Sequence, residues 1–323
     1  MNWLSQLTRG LRRERTPADL ARWLGLPEAE LRPWLASGPA WARGYEYRRF
    51  TIPKRRGGVR VIDAPTEKLK DLQRRVLRRL LAPLAPHAAA TGFRRGHSIV
   101  DNARPHTGQA VVINLDLADF FPSIAAARVD ALFRAVGWNA EAARILTAIC
   151  TLDGALPQGA PTSPALSNLV CRRLDARLAA LARSQGGAYT RYADDLTFSF
   201  PAFGRNRRLR RHAGRPTPGR RPAPSWVTPR SLLGWVRAIL EAEGFRIQFK
   251  KQVRVQRPHQ RQTATGLVVN QAVNLPRATR RLIRAMQHHE RLGRLDAAGR
   301  RRLRGLEALA GMVARQREEP QRR

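Results

Sequence analysis

The sequence predicts an α+β fold, an antiparallel sheet backed by helices, and three observations predict it. Gln109 to Leu117 is a near-continuous apolar run, broken by Asn114, that reads as a central strand delivering Asp116 to its C-terminal edge. Leu196, Phe198 and Phe200 alternate with Thr197 and Ser199, the period of a half-buried strand; Ala188-Tyr189-Thr190-Arg191 reads as its partner across Tyr192-Ala193-Asp194-Asp195. Between these strands, apolar residues recur at helical spacing, as in Leu166, Leu169, Val170, Leu174, Leu178 and Leu181.

Taken in order, Thr16-Pro17-Ala18-Asp19 offers an N-cap followed by proline at the first helical position. Leu20, Trp23, Leu24 and Leu26 form a short apolar face, and Pro27 opens a second short helix through Leu31, Trp34 and Leu35. The segments Tyr45–Ile52 and Val59–Ile62 flank Pro53-Lys54-Arg55-Arg56-Gly57-Gly58, a hairpin loop by its glycines. Such a flap, with Lys54 and Arg60 on it, suits a triphosphate and equally suits plain solvent. Leu69, Leu72, Val76, Leu77, Leu80 and Leu81 mark a helix ending near Pro83 and Pro86, and Gly92 to Ile99 is a loop. His106 has no His or Cys at ligand spacing, so a metal role for it is not expected. After Asp119-Phe120-Phe121-Pro122-Ser123-Ile124 come helices through Val129–Val136 and Ala140–Thr151, and Leu156-Pro157-Gln158-Gly159 starts a turn feeding one long helix. Residues 204–230, rich in Arg and Pro without an acidic residue, read as an insertion. A helix over Ser231–Glu243, a strand from Phe245 to Lys250-Lys251, a strand pair within Val253–Asn270 and basic helices from Pro276 complete the chain.

Charge narrows the function. The 323 residues hold 60 Lys+Arg against 24 Asp+Glu, a net +36, which favours a polyanionic partner, nucleic acid or an anionic membrane. No apolar run reaches the roughly 18 residues of a membrane span, no amphipathic anchor is evident, and Met1–Leu7 lacks a signal-peptide core. The two cysteines, Cys150 and Cys171, lie in apolar helical patterns, as buried thiols of a reducing compartment do. A cytoplasmic protein that handles nucleic acid is the expectation, with no membrane partner.

An isolated Asp-Asp pair in a turn is most often solvated. A second acidic strand end changes that reading. If the strands ending at Asp116 and beginning near Asp194 and Asp195 are neighbours, their carboxylates can bridge two Mg²⁺ ions ~3.5–4 Å apart, the arrangement for in-line phosphoryl transfer.

Together, Asn114-Leu115-Asp116-Leu117-Ala118-Asp119-Phe120-Phe121, Leu156-Pro157-Gln158-Gly159, Tyr192-Ala193-Asp194-Asp195 and the stretch ending at Lys250-Lys251 resemble, in order, the palm motifs of reverse transcriptases over residues 45–270. Asn102-Ala103-x-x-His106 and Thr265-Gly266-Leu267-Val268-Val269-Asn270, with Ala264 where valine is usual, resemble signatures of the bacterial retron type.

The resemblance implies a right-hand polymerase fold: a helical lead-in over 1–44, fingers and palm over 45–265 with the 204–230 insertion, and a helical, RNA-binding thumb over 266–323. It implies metal held by Asp116, Asp194 and Asp195 with the Leu117 carbonyl. It implies dNTP contacts from Lys54, Arg60, Asp119, Phe120, Phe121, Gln158 and Lys251. Phe121 would exclude a 2′-hydroxyl, or else be an ordinary core aromatic; Lys251, or Lys250, would protonate the departing pyrophosphate. Asn102, His106, Thr265 and Gly266 would recognise a structured noncoding RNA serving as template and primer, and an effector protein in antiphage defence would be a further partner. Rival readings are a group II intron-like reverse transcriptase, against which stand the lack of room after the thumb and of a zinc-ligand cluster, and an RNA-binding scaffold with a vestigial site.

Overall fold

A computed structural model of the chain describes residues 15–36, 46–54, 57–201, 228–248 and 253–318. Its α-helices and strands, in chain order, are α1 (Pro17–Leu24), α2 (Glu28–Leu31), α3 (Pro33–Ala36), β1 (Tyr47–Pro53), β2 (Val59–Pro65), α4 (Glu67–Val76, continued by a π-helical turn over Leu77–Leu81), α5 (Ile99–Ala103, followed by a 3-10 turn over Arg104–His106) and β3 (Val111–Asp116). There follow α6 (Ala126–Ala135), α7 (Ala140–Cys150), α8 (Ser163–Val170), α9 (Arg172–Ser184), β4 (Ala188–Tyr192), β5 (Asp195–Phe200) and α10 (Pro229–Ala242). The last are β6 (Arg254–Gln256), β7 (Thr263–Ala264), β8 (Leu267–Val268), α11 (Arg277–Arg291) and α12 (Ala297–Glu318). Contacts divide the chain into two units, each discontinuous in sequence: the residues through His87 with Ala118–Leu174, and Ala88–Leu117 with the residues from Asp175 onward.

The first unit is a helical layer carrying one hairpin. Thr16 caps α1 as its sequence predicts: its hydroxyl accepts from Asp19 N–H at 3.4 Å while Asp19 Oδ2 accepts from Thr16 N–H at 2.9 Å. Helix α7 is the hub, packing against α1, α3, α4 and α6, and Leu20, Leu24, Leu69, Phe133, Trp138, Ile145 and Leu146 are buried around it. A buried glutamine ties the hairpin to this layer, Gln73 Nε2 donating to Tyr47 Oη at 2.6 Å and to the Ile149 carbonyl at 2.8 Å. Burial raises the Tyr47 phenol, and it pushes the Cys150 thiol up to about 12, so Cys150 is an inert core residue. Strands β1 and β2 pair antiparallel from Tyr47↔Pro65 to Pro53↔Val59.

The second unit holds a sheet in the order β4-β5-β3-β6. Strand β3 is central as predicted, with Val111, Val112, Ile113 and Leu115 buried, and every neighbouring pair is antiparallel. A second apolar cluster joins Val100, Ala103, Val112, Leu267, Ile283, Met286, Leu303 and Val313. The predicted segments 45–265 and 266–323 therefore both contribute to this cluster.

Two elements differ from expectation. The long helix after Gly159 is two helices in tandem, α8 and α9, because the backbone leaves helical geometry at Cys171 (ψ 2°); the apolar stripe continues regardless, with Leu166, Leu169, Leu174 and Leu178 all buried. Of the strand expected from Phe245 to Lys251, the described residues form one bridge, Leu117↔Ile247, with Gln248 N–H donating to the Asp116 carbonyl at 2.8 Å. Lys250 and Lys251 lie outside the described residues, as does the 204–230 insertion up to Val227.

Candidate active site

The second unit brings the acidic positions together by strand register. Asp116 ends β3 and stands directly opposite Asp195, which opens β5. Directly opposed residues of an antiparallel pair project from the same face, with Cβ atoms about 5 Å apart. Tyr192 pairs with Asp195 across the other side of the hairpin, leaving Ala193-Asp194 as its two-residue loop. Ala193 adopts a φ of 58°, the left-handed value that the first central position of a II′ turn requires and that glycine usually supplies. Alanine there costs about 1 kcal/mol. Asp194 is tied to β3 through its backbone, its carbonyl accepting from Leu117 N–H at 3.0 Å. All three aspartates are partly exposed, while their chain neighbours Leu115, Leu117 and Leu196 are buried.

This donor set suits a hard divalent cation, since Mg²⁺ takes oxygen ligands, commonly one or two carboxylates with water and substrate phosphates completing its octahedron. The opposed Asp116 and Asp195 meet that requirement. Among the described residues, no group of three His, Cys, Asp or Glu side chains stands already converged on one point; Asp194 adjoins the opposed pair through the turn.

A buried polar network underlies the hairpin. His106 Nε2 and Nδ1 each meet a hydroxyl at 2.7 Å, Thr190 Oγ1 on β4 and Ser199 Oγ on β5. Asn102 Nδ2 donates to Thr91 Oγ1 at 2.8 Å, and the Asn102 backbone carbonyl accepts from Thr190 Oγ1 at 3.3 Å. Burial lowers the His106 pKa to about 3, so its imidazole is neutral at physiological pH. The RNA contact expected of Asn102 and His106 is corrected here: both side chains are fully buried and have no surface to offer a partner. They instead pin α5 to the hairpin that carries Asp194 and Asp195. Thr265 and Gly266 form the tight turn between β7 and β8, with φ of 46° and 81°, and Thr265 Oγ1 donates to the Ile99 carbonyl on α5 at 3.1 Å. Gly266 is exposed and Thr265 half-buried. The second signature stretch thus bonds to the helix that carries Asn102.

The remaining candidates belong to the first unit. Asp119 is exposed with φ 44°, and its carbonyl accepts from Ser123 N–H at 2.8 Å. Phe120 is the core ring of the pair; Phe121 is only half-buried, its centroid 5.3 Å from that of Phe120. Gln158 is half-buried, and its carbonyl accepts from Asp63 N–H at 2.9 Å on β2. Gly159 follows with φ 144°, and a Cβ there would meet the Asp63 carbonyl oxygen at 2.5 Å, so only glycine lets this turn seat on the hairpin. Asp63 in turn accepts from Arg49 Nε at 2.6 Å, and Arg49 Nη2 reaches Asp153 at 3.0 Å. Lys54 and Arg60 are exposed at the hairpin's far end.

Sequence reading missed Gly92, Asp175 and Arg191, all packed at or near the acidic turn. The available signal was charge in apolar patterns: Asp175 beside Leu174 in a helical stripe, and Arg191 inside an aromatic and β-branched strand.

Residues 52–212 match the family model described as reverse transcriptase (RNA-dependent DNA polymerase). Over 319 residues the chain is 40% identical to the retron Mx162 reverse transcriptase of Myxococcus xanthus, covering 91% of this chain and 62% of that protein. It is 40% identical over 328 residues to the retron Mx65 reverse transcriptase of the same organism, covering 96% and 71%. With the retron Ec86 reverse transcriptase of Escherichia coli it shares 37% over 248 residues, 76% of this chain and 70% of that protein. The chain belongs to the retron reverse transcriptases.

Proposed function

We propose that this chain is an RNA-directed DNA polymerase that copies a structured noncoding RNA, priming from a 2′-hydroxyl of that RNA, so that the DNA product remains RNA-linked. The observation that supports this most is the register placing Asp116 opposite Asp195 at one end of the sheet, with Asp194 in the adjoining turn. Asp116, Asp194 and Asp195, with the Leu117 carbonyl, would hold two Mg²⁺ ions, which when bound acidify the attacking hydroxyl and neutralise charge on the phosphorus in flight. The protein's own groups do the rest. The rigid strands hold the carboxylates at fixed spacing, so no reorganisation is needed during the reaction. Lys54 and Arg60 neutralise the incoming triphosphate, Gln158 and Asp119 orient the nucleotide, and the part-exposed ring of Phe121, beside Phe120, selects deoxyribose by clashing with a 2′-hydroxyl. Lys251, or Lys250, donates a proton to the leaving pyrophosphate.

Recognition of the RNA is assigned to the Thr265-Gly266 turn, exposed at Gly266, and to the arginine-rich faces of α11 and α12, since RNA is read by shape, loops and 2′-hydroxyls. Among the described residues no helix is long and apolar enough to cross a membrane. A cytoplasmic place and a role in antiphage defence with an effector protein complete the reading.

The test is incubation with an RNA template-primer, Mg²⁺ and dNTPs, alongside sequencing of RNA that copurifies. DNA synthesis from wild type, its loss in Asp194→Asn with Asp195→Asn, and copurified RNA bearing covalent DNA are expected. Undiminished synthesis by the double variant sinks the assignment.

A further inference from the structure

Arg191, the residue before Tyr192 of the acidic hairpin, has no exposed surface. Its guanidinium is engaged on three sides. Nε donates to Asp175 Oδ1 at 2.8 Å and Nη2 to Asp175 Oδ2 at 2.7 Å, a two-pronged pairing between fully buried side chains. Tyr189 Oη donates to the same carboxylate at 2.9 Å. The remaining nitrogen, Nη1, donates to the carbonyl of Ala193 at 3.2 Å.

A buried ion pair is poor evidence of stabilisation, because desolvating two charges offsets much of their attraction. The end point of the third prong supplies another reason for it. Ala193 is the residue with φ 58° in the turn that carries Asp194, a conformation that alanine does not hold unaided. The strand leading into the turn is fixed too: Arg191 N–H donates to the Ala89 carbonyl at 2.7 Å, and its own carbonyl accepts from Thr91 N–H at 2.9 Å. Gly92 then lies so close that a Cβ on it would stand 2.8 Å from the Ala193 nitrogen.

We propose that Arg191 is a positioning residue for nucleotidyl transfer: locked by Asp175, it holds the Ala193 carbonyl and so keeps the turn in the conformation that sets Asp195 opposite Asp116. This rests on the reading that the acidic hairpin carries the chemistry. Without the third prong, Ala193 relaxes out of the left-handed region and displaces Asp194 and Asp195, their chemistry unchanged.

The test uses the full chain and Mn²⁺ as metal probe, its binding read by electron paramagnetic resonance without turnover. Arg191→Lys is expected to lower kcat about 10- to 100-fold, the scale of a misplacement near 1 Å, with the dNTP KM changed less than about threefold and Mn²⁺ bound more weakly. Adding Ala193→Gly, which makes positive φ free of cost, recovers about tenfold in kcat together with Mn²⁺ binding, while the melting temperature stays that of Arg191→Lys. Wild-type kcat and Mn²⁺ binding in Arg191→Lys, or no recovery in the combined variant, overturns the proposal. Should Arg191→Lys not fold, Tyr189→Phe loosens Asp175 while keeping the ion pair. A loss of about threefold in kcat with weaker Mn²⁺ binding is then expected, and no change in either overturns it. Asp194→Asn with Asp195→Asn separates the two readings: if it is active, the polymerase assignment fails; if it is inactive while Arg191→Lys behaves as wild type, only the role of Arg191 fails.

Discussion

Two antiparallel hairpins among the described residues, β1–β2 and β4–β5, are built in opposite ways. In β1–β2, Phe50, Ile52, Val59 and Val61 are 49%, 39%, 59% and 43% exposed, although these residue types ordinarily prefer the interior. Their cross-strand partners include Arg60 and Thr51, also exposed, so among the described residues neither face of the hairpin's outer half is covered. In β4–β5, every residue from Leu196 to Phe200 is buried, and the polar ones, Thr190, Arg191, Thr197 and Ser199, are bonded inside. An exposed hairpin that carries basic residues suits gripping a charged nucleotide arriving from solvent. A hairpin fixed by hydrogen bonds along its length suits holding carboxylates to sub-ångström tolerance.

That contrast breaks most sharply at the carboxylates. Asp116→Asn is expected to reduce DNA synthesis roughly 10²–10³-fold while moving the melting temperature by less than about 3 °C, measured by primer extension and calorimetry; a wild-type rate would mean the rigid hairpin holds no catalytic charge. Next comes Gly92→Ala, whose methyl presses on the Ala193 nitrogen; a loss of about 10²-fold in kcat is expected, with a dNTP KM near wild type. Replacing both Lys54 and Arg60 by alanine probes the other hairpin. The dNTP KM should rise about 10-fold, less so at high salt, with kcat within about threefold and unfolding unchanged. If kcat falls and KM holds, the division of labour between the hairpins is wrong.

The remaining effect is on acid stability rather than on catalysis. Because the folded pKa of His106 is depressed to about 3 from an ordinary 6.5, the unfolded chain binds the extra proton between those values. Stability is therefore complete above about pH 6.5 and falls by about 1.4 kcal/mol per pH unit on acidification toward pH 3. Urea unfolding at pH 7 and pH 5 should show this slope in wild type and a shallower one in His106→Gln.

The acidic site was legible because it obeys local rules. An alternating strand, a two-residue polar turn and an apolar run ending in Asp116 announce themselves within a few residues each. The neighbourhood of β3 and β5, by contrast, was supplied by the order of motifs and confirmed only by register. Asn102 and His106 were misread because a polar residue inside the core is invisible to periodicity: its partners, Thr91, Thr190 and Ser199, are scattered along the chain. Cys171 interrupts a helix without a glycine or proline to announce it. The roles of Gly159 and Gly92 depend on a backbone passing within van der Waals distance, which no composition reveals.

Strand β3 has its inner partner β5 beyond the whole of Ala118–Leu174, a segment that belongs to the other unit. A ribosome adding about 5–20 residues per second releases β3 on the order of ten seconds before β5 exists to cover it. Throughout that interval Val111, Val112 and Ile113 form a sticky, unpaired ribbon on a nascent chain. Yield of the native protein is thereby coupled to translation speed and to whatever shields emerging polypeptide, in a way that neither hairpin's final stability reflects.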